Sequence, residues 1–313
     1  MDGLILVHKP QNCTSHDVVI KIREILNKKK VGHYGTLDPL ATGLMMIAVG
    51  KATRLFPFFS RTDKVYKGII KLGFSTDTYD SFGKPTSEVT TEYPDKKSLL
   101  KLIEKFKGEI TQVSPAFSAK KFKGKPLYAL ARQNKEFKLK TSKIFIHFFH
   151  LLNYKPPLID FKVKCSSGTY IRSLAHDLGQ NLECGAHLSQ LTRTKVGNFN
   201  IKDCFTLDKI KKMTQENKIE EFLIPLELLL PEFPKIILKE TGSALVKNGS
   251  MIFHDNILKV VYPRASLSNI TKERENIFRM FSHEGKLLAF AEKIHEKKCL
   301  HPFLVVDSKD VTQ

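Results

Sequence analysis

Cysteine is scarce in this chain and poorly spaced for chemistry. Cys13, Cys165, Cys184, Cys204 and Cys299 are odd in number, and no two form a C-x-x-C pair. That spacing argues against a disulfide framework and against a zinc site, and leaves reduced, mostly buried thiols. No apolar run is long enough to span a bilayer. No basic segment precedes the short apolar run Leu4-Ile5-Leu6-Val7, so the N-terminus reads as a first strand and not as a signal peptide. A cytoplasmic protein is expected. There is no P-loop, no dinucleotide-binding fingerprint, no internal repeat and no low-complexity tract.

Acidic residues are also in short supply. Asp plus Glu number 32 against 51 Lys plus Arg, a net charge of +19. Such an excess favours an anionic partner, because neutralising phosphates releases counterions. A merely solubilising, lysine-biased surface is the alternative, and Lys28-Lys29-Lys30 is consistent with it. No basic amphipathic helix with a strong apolar face stands out, so a membrane partner is not expected.

With 313 residues, 42% hydrophobic and 27% charged, the composition is globular and allows one large domain and one small one. Strands are predicted at 4–9, 66–74, 143–154 and 158–165. Helices are predicted at 15–26, capped by Thr14 or Ser15, at 97–106 and at 167–179. Strands outnumber helices without a regular βαβ alternation, which predicts an α+β fold with a mixed, largely antiparallel sheet and flanking helices. After Pro225 the Pro-bounded stretch 226–234 reads as a connector. A short helix at 239–247, stopped by Asn248-Gly249, precedes strand-like runs at 257–262, 277–281, 287–292 and 303–306, with a hairpin turn at 283–285. The expected domains are therefore 1–230 and a small, mostly β module at 231–313.

One loop stands apart. Gly32-His33-Tyr34-Gly35-Thr36-Leu37-Asp38-Pro39-Leu40-Ala41-Thr42-Gly43 is too rich in Gly, Pro and Thr for a helix interior. It runs straight into the apolar stretch Leu44 to Val49. On local features alone two readings stay open: a surface turn closed by an Asp38–backbone hydrogen bond, or a catalytic carboxylate held on a core element.

Three further segments combine small residues with functional side chains: Asp63 to Gly68, Ser118 to Tyr128, and Cys165 to Gly179 with its Gly168-Thr169-Tyr170-Ile171-Arg172 run. With Lys9-Pro10, Leu72 to Asp80 and Gly185-Ala186-His187, and in this order, they resemble the TruB family of bacterial pseudouridine synthases, which isomerise a uridine in the T-loop of transfer RNA. The resemblance covers nearly the whole chain and is weakest in the C-terminal module.

The resemblance implies a pseudouridine synthase fold with a PUA-like C-terminal domain, and roles for named residues. Asp38 becomes the essential group, either a nucleophile at the sugar or a base whose proton abstraction gives a glycal. A nucleophilic carboxylate must be ionised in a water-excluding pocket, which requires a fixed cation; the resemblance makes this Arg172, a residue type that keeps its charge when desolvated. Tyr66 would stack on the flipped uracil, with its hydroxyl in reach of the C5 proton. Tyr170 and Leu191 would line the uridine pocket, and His33 would fill the gap left by the extruded base.

Lys9, Lys120, Lys123 and Lys125 are candidates for the RNA backbone, with a solvated charged face as the alternative for the last three. No cofactor and no metal are expected, since bond cleavage, base rotation and rejoining need neither. The expected partner is transfer RNA, through its T-arm, bound by a monomer without a guide RNA. Guide-dependent relatives carry longer N-terminal extensions, whereas here the first strand starts at Leu4. A catalytically dead RNA-binding protein is the reading from another class, and the joint presence of Asp38, Tyr66 and Arg172 argues against it. Two departures from the family pattern are His8 before Lys9-Pro10, and Thr192 in place of the first of two frequent arginines.

Overall fold

A computed structural model of the chain describes residues 1–117, 121–122, 125–126, 141–263 and 276–306. The strands used below are β1 (Gly3–Lys9), β2 (Val31–His33), β3 (Thr42–Val49), β4 (Lys64–Leu72), β5 (Gly108–Val113), β6 (Lys121–Phe122), β7 (Lys125–Pro126), β8 (Thr141–Lys155), β9 (Leu158–Cys165), β10 (Ala186–Val196), β11 (Phe199–Asn200), β12 (Leu223–Pro225), β13 (Lys235–Leu238), β14 (Ile257–Val261), β15 (Ile277–Phe281), β16 (Leu287–Ile294) and β17 (Cys299–Val305). The main helices are α1 (Ser15–Leu26), α2 (Phe56–Ser60), α3 (Lys96–Lys105), α4 (Ile171–Asn181), α5 (Leu207–Gln215) and α6 (Glu240–Lys247).

The larger sheet runs β12-β1-β3-β10-β4-β9-β8-β5, with β2 added to β3 and β11 to β10. The β3–β10 pair is parallel, while β10–β4, β4–β9, β9–β8 and β8–β5 are antiparallel. This is the mixed, largely antiparallel α+β architecture expected. Gly43 to Val49 of β3 are buried without alternation, the signature of a strand covered on both faces. Further along the sheet, β9 alternates strictly: Ile159, Phe161, Val163 and Cys165 point into the core with Ile70, Leu174 and Leu178.

Local chemistry fixes the helix ends. Thr14 accepts from Asp17 N while the Asp17 carboxylate accepts from Thr14 N, a reciprocal cap for α1. Asp95 caps α3 by accepting from Ser98 N at 2.8 Å. The third large helix departs from expectation. It starts at Ile171, not Ser167, because Gly168 takes φ +83° and Thr169 Oγ1 donates back to Ser166 O at 2.9 Å, closing a turn. Tyr170, the residue ahead of the helix, has no cap from its own side chain; Gln112 on β5 donates to its carbonyl at 3.0 Å and accepts from its amide at 2.8 Å.

The chain forms two compact units. One is Ile5–Ile47 with Phe56–Phe222; the other is Met1–Leu4, Ala48–Leu55 and the described part of 223–313. The second unit holds the five-stranded sheet β14-β13-β15-β16-β17 over a core of Ile236, Leu238, Val246, Ile252 and Met280. Its outlying pieces are tied in: Asp2 accepts from Lys51 N at 2.6 Å, and Lys51 Nζ donates to Val306 O at 2.6 Å. The stretch read as a connector is built into this unit, since Leu229, Leu230 and Phe233 are buried and Arg279 donates to the Phe233 and Pro231 carbonyls.

Candidate active site

The Asp38 loop lies between β2 and β3 and is pinned along its length. Ser15 Oγ both donates to Leu37 O at 2.9 Å and accepts from Leu37 N at 2.8 Å. Asn12 N donates to Pro39 O, and Ala41 N closes the turn on Asp38 O, each at 3.0 Å. The Tyr34 ring is buried and stacks on Phe59, with centroids 4.9 Å apart. Glycine is required at both ends. Gly35 has φ +126° and Gly43 φ +101°, and a Cβ at Gly43 would lie 2.5 Å from Arg193 O.

Arg193, on β10, is buried and points its guanidinium under this loop. Nε donates to Leu44 O at 2.8 Å, Nη1 to Thr36 O at 3.2 Å and Nη2 to Gly35 O at 3.1 Å. Three carbonyls on either side of Asp38 are thus gathered by one planar donor set. Sequence reasoning assigned Arg193 no role. Two signals were available: it is the second of the two arginines frequent in the family at 192–193, and it stands two residues after Leu191, which puts both on the cavity side of β10.

Arg172, in the first turn of α4, reaches the loop from the helix. Nε donates to Asp38 Oδ2 at 2.8 Å and Nη2 to Asp38 Oδ1 at 3.1 Å, a bidentate pair. Nη1 donates to Thr78 O at 2.8 Å and Nη2 also to Phe117 O at 2.9 Å. A second carboxylate, Asp80 Oδ2, lies 3.7 Å from Nε. A buried cation at the positive end of a helix is electrostatically unfavourable, and the two carboxylates offset it. Asp80 is itself held, accepting from Thr78 Oγ1 at 2.6 Å and Phe82 N at 3.0 Å. It is a second residue to which the sequence reading assigns no role, although it ends the Leu72-to-Asp80 segment that carries the family resemblance.

The pair is asymmetric. The Arg172 side chain is 5% exposed and that of Asp38 34%, so the carboxylate is presented and the guanidinium is not. It opens onto a cavity of about 260 Å³ whose lining includes Asp38, Tyr66, Tyr170, Leu191 and Arg193. Tyr66 forms part of the buried wall; burial pushes its hydroxyl up to about 12, so the phenol keeps its proton at neutral pH. Lys64 lines the same cavity, donates to Ser60 O at 3.0 Å, and is brought down to about 8 by burial and then by the Arg193 charge.

The other expected site residues fall out differently. His33 ends β2, outside the cavity lining. Burial, then Arg193 and His16, hold its imidazole below the usual histidine range, and its buried Nδ1 has no partner. Lys9 is a correction. It is fully buried, and Nζ donates to the carbonyls of Pro10 at 2.8 Å and Cys13 at 2.5 Å, so it holds a turn and presents no charge to an RNA backbone. Lys120 and Lys123 lie outside the described residues; Lys125 is described only as backbone of β7, opposite Phe122 in β6.

A buried, bidentate arginine that offers a half-exposed carboxylate to a tyrosine-walled cavity suits chemistry on a base taken out of its stack. The fold is the pseudouridine synthase fold. It matches a chain from the structure of an H/ACA ribonucleoprotein bound to a substrate RNA containing 2′-deoxyuridine, with TM-score 0.71, 24% identity and coverage of 98% and 86% of the two chains. A chain from an archaeal box H/ACA Nop10–Cbf5 complex matches with TM-score 0.70 and 23% identity, covering 98% and 87%. A model described as TruB family pseudouridylate synthase, N-terminal domain, matches residues 23–171, and one for the tRNA pseudouridylate synthase B C-terminal domain matches 172–231.

The chain is 40% identical to tRNA pseudouridine synthase B of Clostridium tetani over 296 residues, covering 95% of this chain and 97% of that one. The Solibacter usitatus protein of the same name is 43% identical over 249 residues, covering 80% and 85%, and the Bacillus anthracis one 39% over 296, covering 91% and 94%. The chain belongs to the TruB family of pseudouridylate synthases and is an isomerase.

Proposed function

We propose that this isomerase converts the T-loop uridine at position 55 of transfer RNA to pseudouridine, as a cytoplasmic monomer that needs no guide RNA. The observation that carries the reading is the Asp38–Arg172 pair at the edge of the cavity walled by Tyr66. The reaction breaks C1′–N1, turns the uracil, and joins C5 to C1′ before the C5 proton leaves. Asp38 is the only carboxylate among the described residues lining that cavity. It serves either by adding to C1′ or by taking a sugar proton to give a glycal, and both routes place the same oxygen beside the ribose.

Tyr66 stacks on the uracil, Tyr170 and Leu191 complete the pocket, and the neutral His33 takes the vacated place in the RNA. Lys120, Lys123 and Lys125 supply cations for phosphates in this reading, and the module 231–313 grips the acceptor side of the transfer RNA. The test is to incubate the protein with unmodified transfer RNA, map pseudouridine, and repeat with Asp38→Asn. Product at one T-loop uridine with wild type only is expected; product from the variant removes Asp38 from the mechanism. A primary isotope effect from 2′-deuterated uridine separates the glycal route from direct addition.

A further inference from the structure

The sheet that carries the pocket has a second face. Lys64 and Tyr66 of β4 line the cavity, so Lys67, one residue beyond Tyr66, points to the opposite side. Strand register extends that opposite row. Lys67 stands directly across from Lys162 on β9, and Lys162 directly across from His150 on β8. Lys67 and His150 are exposed and Lys162 is half-buried.

Like charges directly opposite on adjacent strands repel, and no carboxylate among the described residues relieves this pair. Lys67 and Lys162 have no ion-pair partner among the described residues. Nearby Asp63 is engaged by His147 at 2.8 Å and Lys164 at 3.4 Å, and Asp160 takes the Asn153 amide at 3.3 Å.

The same face carries rings. Phe148 and His150 stack with centroids 4.6 Å apart and planes at 14°. The Lys162 ammonium sits 5.8 Å over the Phe148 ring. On the same strand Phe145 is 44% exposed and meets the His147 ring edge-on, with centroids 4.9 Å apart.

We infer that the solvent face of β4-β9-β8 is a binding platform for single-stranded RNA, with Lys67 and Lys162 meeting phosphates and the Phe148–His150 stack meeting bases. Unpaired cross-strand ammonium groups fit a row of phosphates. Rings interleaved with them on an open sheet fit unstacked bases, which a duplex or an acidic protein surface does not offer. The platform goes beyond the isomerase reading, and it turns away from Asp38.

The test is fluorescence anisotropy with a labelled oligouridylate across a salt series, on the full chain. For Lys67→Glu with Lys162→Glu we expect affinity to fall at least about tenfold and the salt slope to shrink by about 1.4, two phosphate contacts on a single strand. Phe148→Leu should weaken binding about fivefold or more with the slope unchanged, since stacking is not salt-linked. Lys67→Arg with Lys162→Arg should bind as wild type does. Isomerisation of a T-arm hairpin should keep its kcat in every variant, which separates this test from that of the catalytic reading.

Unchanged affinity and slope in the double reversal overturn the platform, as does a loss confined to binding of polyglutamate, which would indicate a protein partner. If the double reversal fails to fold, Lys67→Glu alone serves: it pairs opposite charges across the strands, so Tm should rise while oligouridylate binding falls. Binding that does not fall in that variant also overturns the inference.

Discussion

Two buried arginines meet the Asp38 loop, and the regions around them are built on different principles. Arg172 faces carboxylates, two oxygens of Asp38 and one of Asp80, and sits at a helix start where a cation is otherwise unwelcome. Arg193 faces backbone carbonyls at Gly35, Thr36 and Leu44 from a strand, and has no carboxylate partner among the described residues. One region pairs and orients the Asp38 carboxylate, and the other sets the path of the chain that carries it. Separating the two tasks lets the loop be rigid without neutralising the carboxylate it displays.

That division can be broken at either end. Asp38→Asn keeps the shape and removes the charge; activity on transfer RNA should fall at least about 10³-fold, while affinity stays within about threefold of wild type. Retained activity would mean that the carboxylate is not the reacting group. Arg172→Met leaves two carboxylates facing each other without their cation. It should lower kcat by about 10²-fold or more and cost about 3–5 kcal/mol in urea unfolding, and Arg172→Lys should restore stability better than rate.

Arg193→Met should reverse the proportions. Three buried carbonyls lose their donors, so about 3 kcal/mol of stability should go, while kcat drops only about tenfold. Equal losses of rate at Arg172 and Arg193 would sink the division. Lys64 sharpens it through pH. Its ammonium ordinarily titrates at 10.5 and burial brings it to about 8 in the folded protein. Between those values the unfolded chain holds more protons, so stability rises with pH through the window. Relative to Lys64→Met, the wild type should gain about 2 kcal/mol from about pH 7.5 to 9.5 by thermal melts. The smallest effect is at the strand junction. Thr42→Val removes the 2.9 Å bond to Thr192 Oγ1 and should cost about 1 kcal/mol, with kcat unchanged.

Much of this was legible in the sequence. The helix at Ser15, the strands at 143–154 and 158–165 and the α+β class follow from capping and periodicity signals. The family resemblance implies that Asp38 and Arg172 pair, and they do pair, 134 residues apart. What escaped was decided by tertiary geometry. The start of α4 moved because Gly168 and Thr169 close a turn ahead of it, and the partner for the Tyr170 backbone is Gln112, distant in sequence. Lys9 looked like a phosphate contact because its charge is visible in the sequence, whereas the two carbonyls that enclose it are not. Arg193 and Asp80 were hidden for the same reason: their partners are backbone atoms and a cation brought together only by folding.

The Gln112 carboxamide behaves as a borrowed peptide unit, offering one donor and one acceptor to Tyr170 as a neighbouring strand would. It locks the helix bearing Arg172 to β5, which lies before the stretch 118–140 in the chain. The guanidinium is therefore indexed to the sheet and not to the length of whatever joins them. Insertions or deletions within 118–140 should leave the Asp38–Arg172 distance untouched.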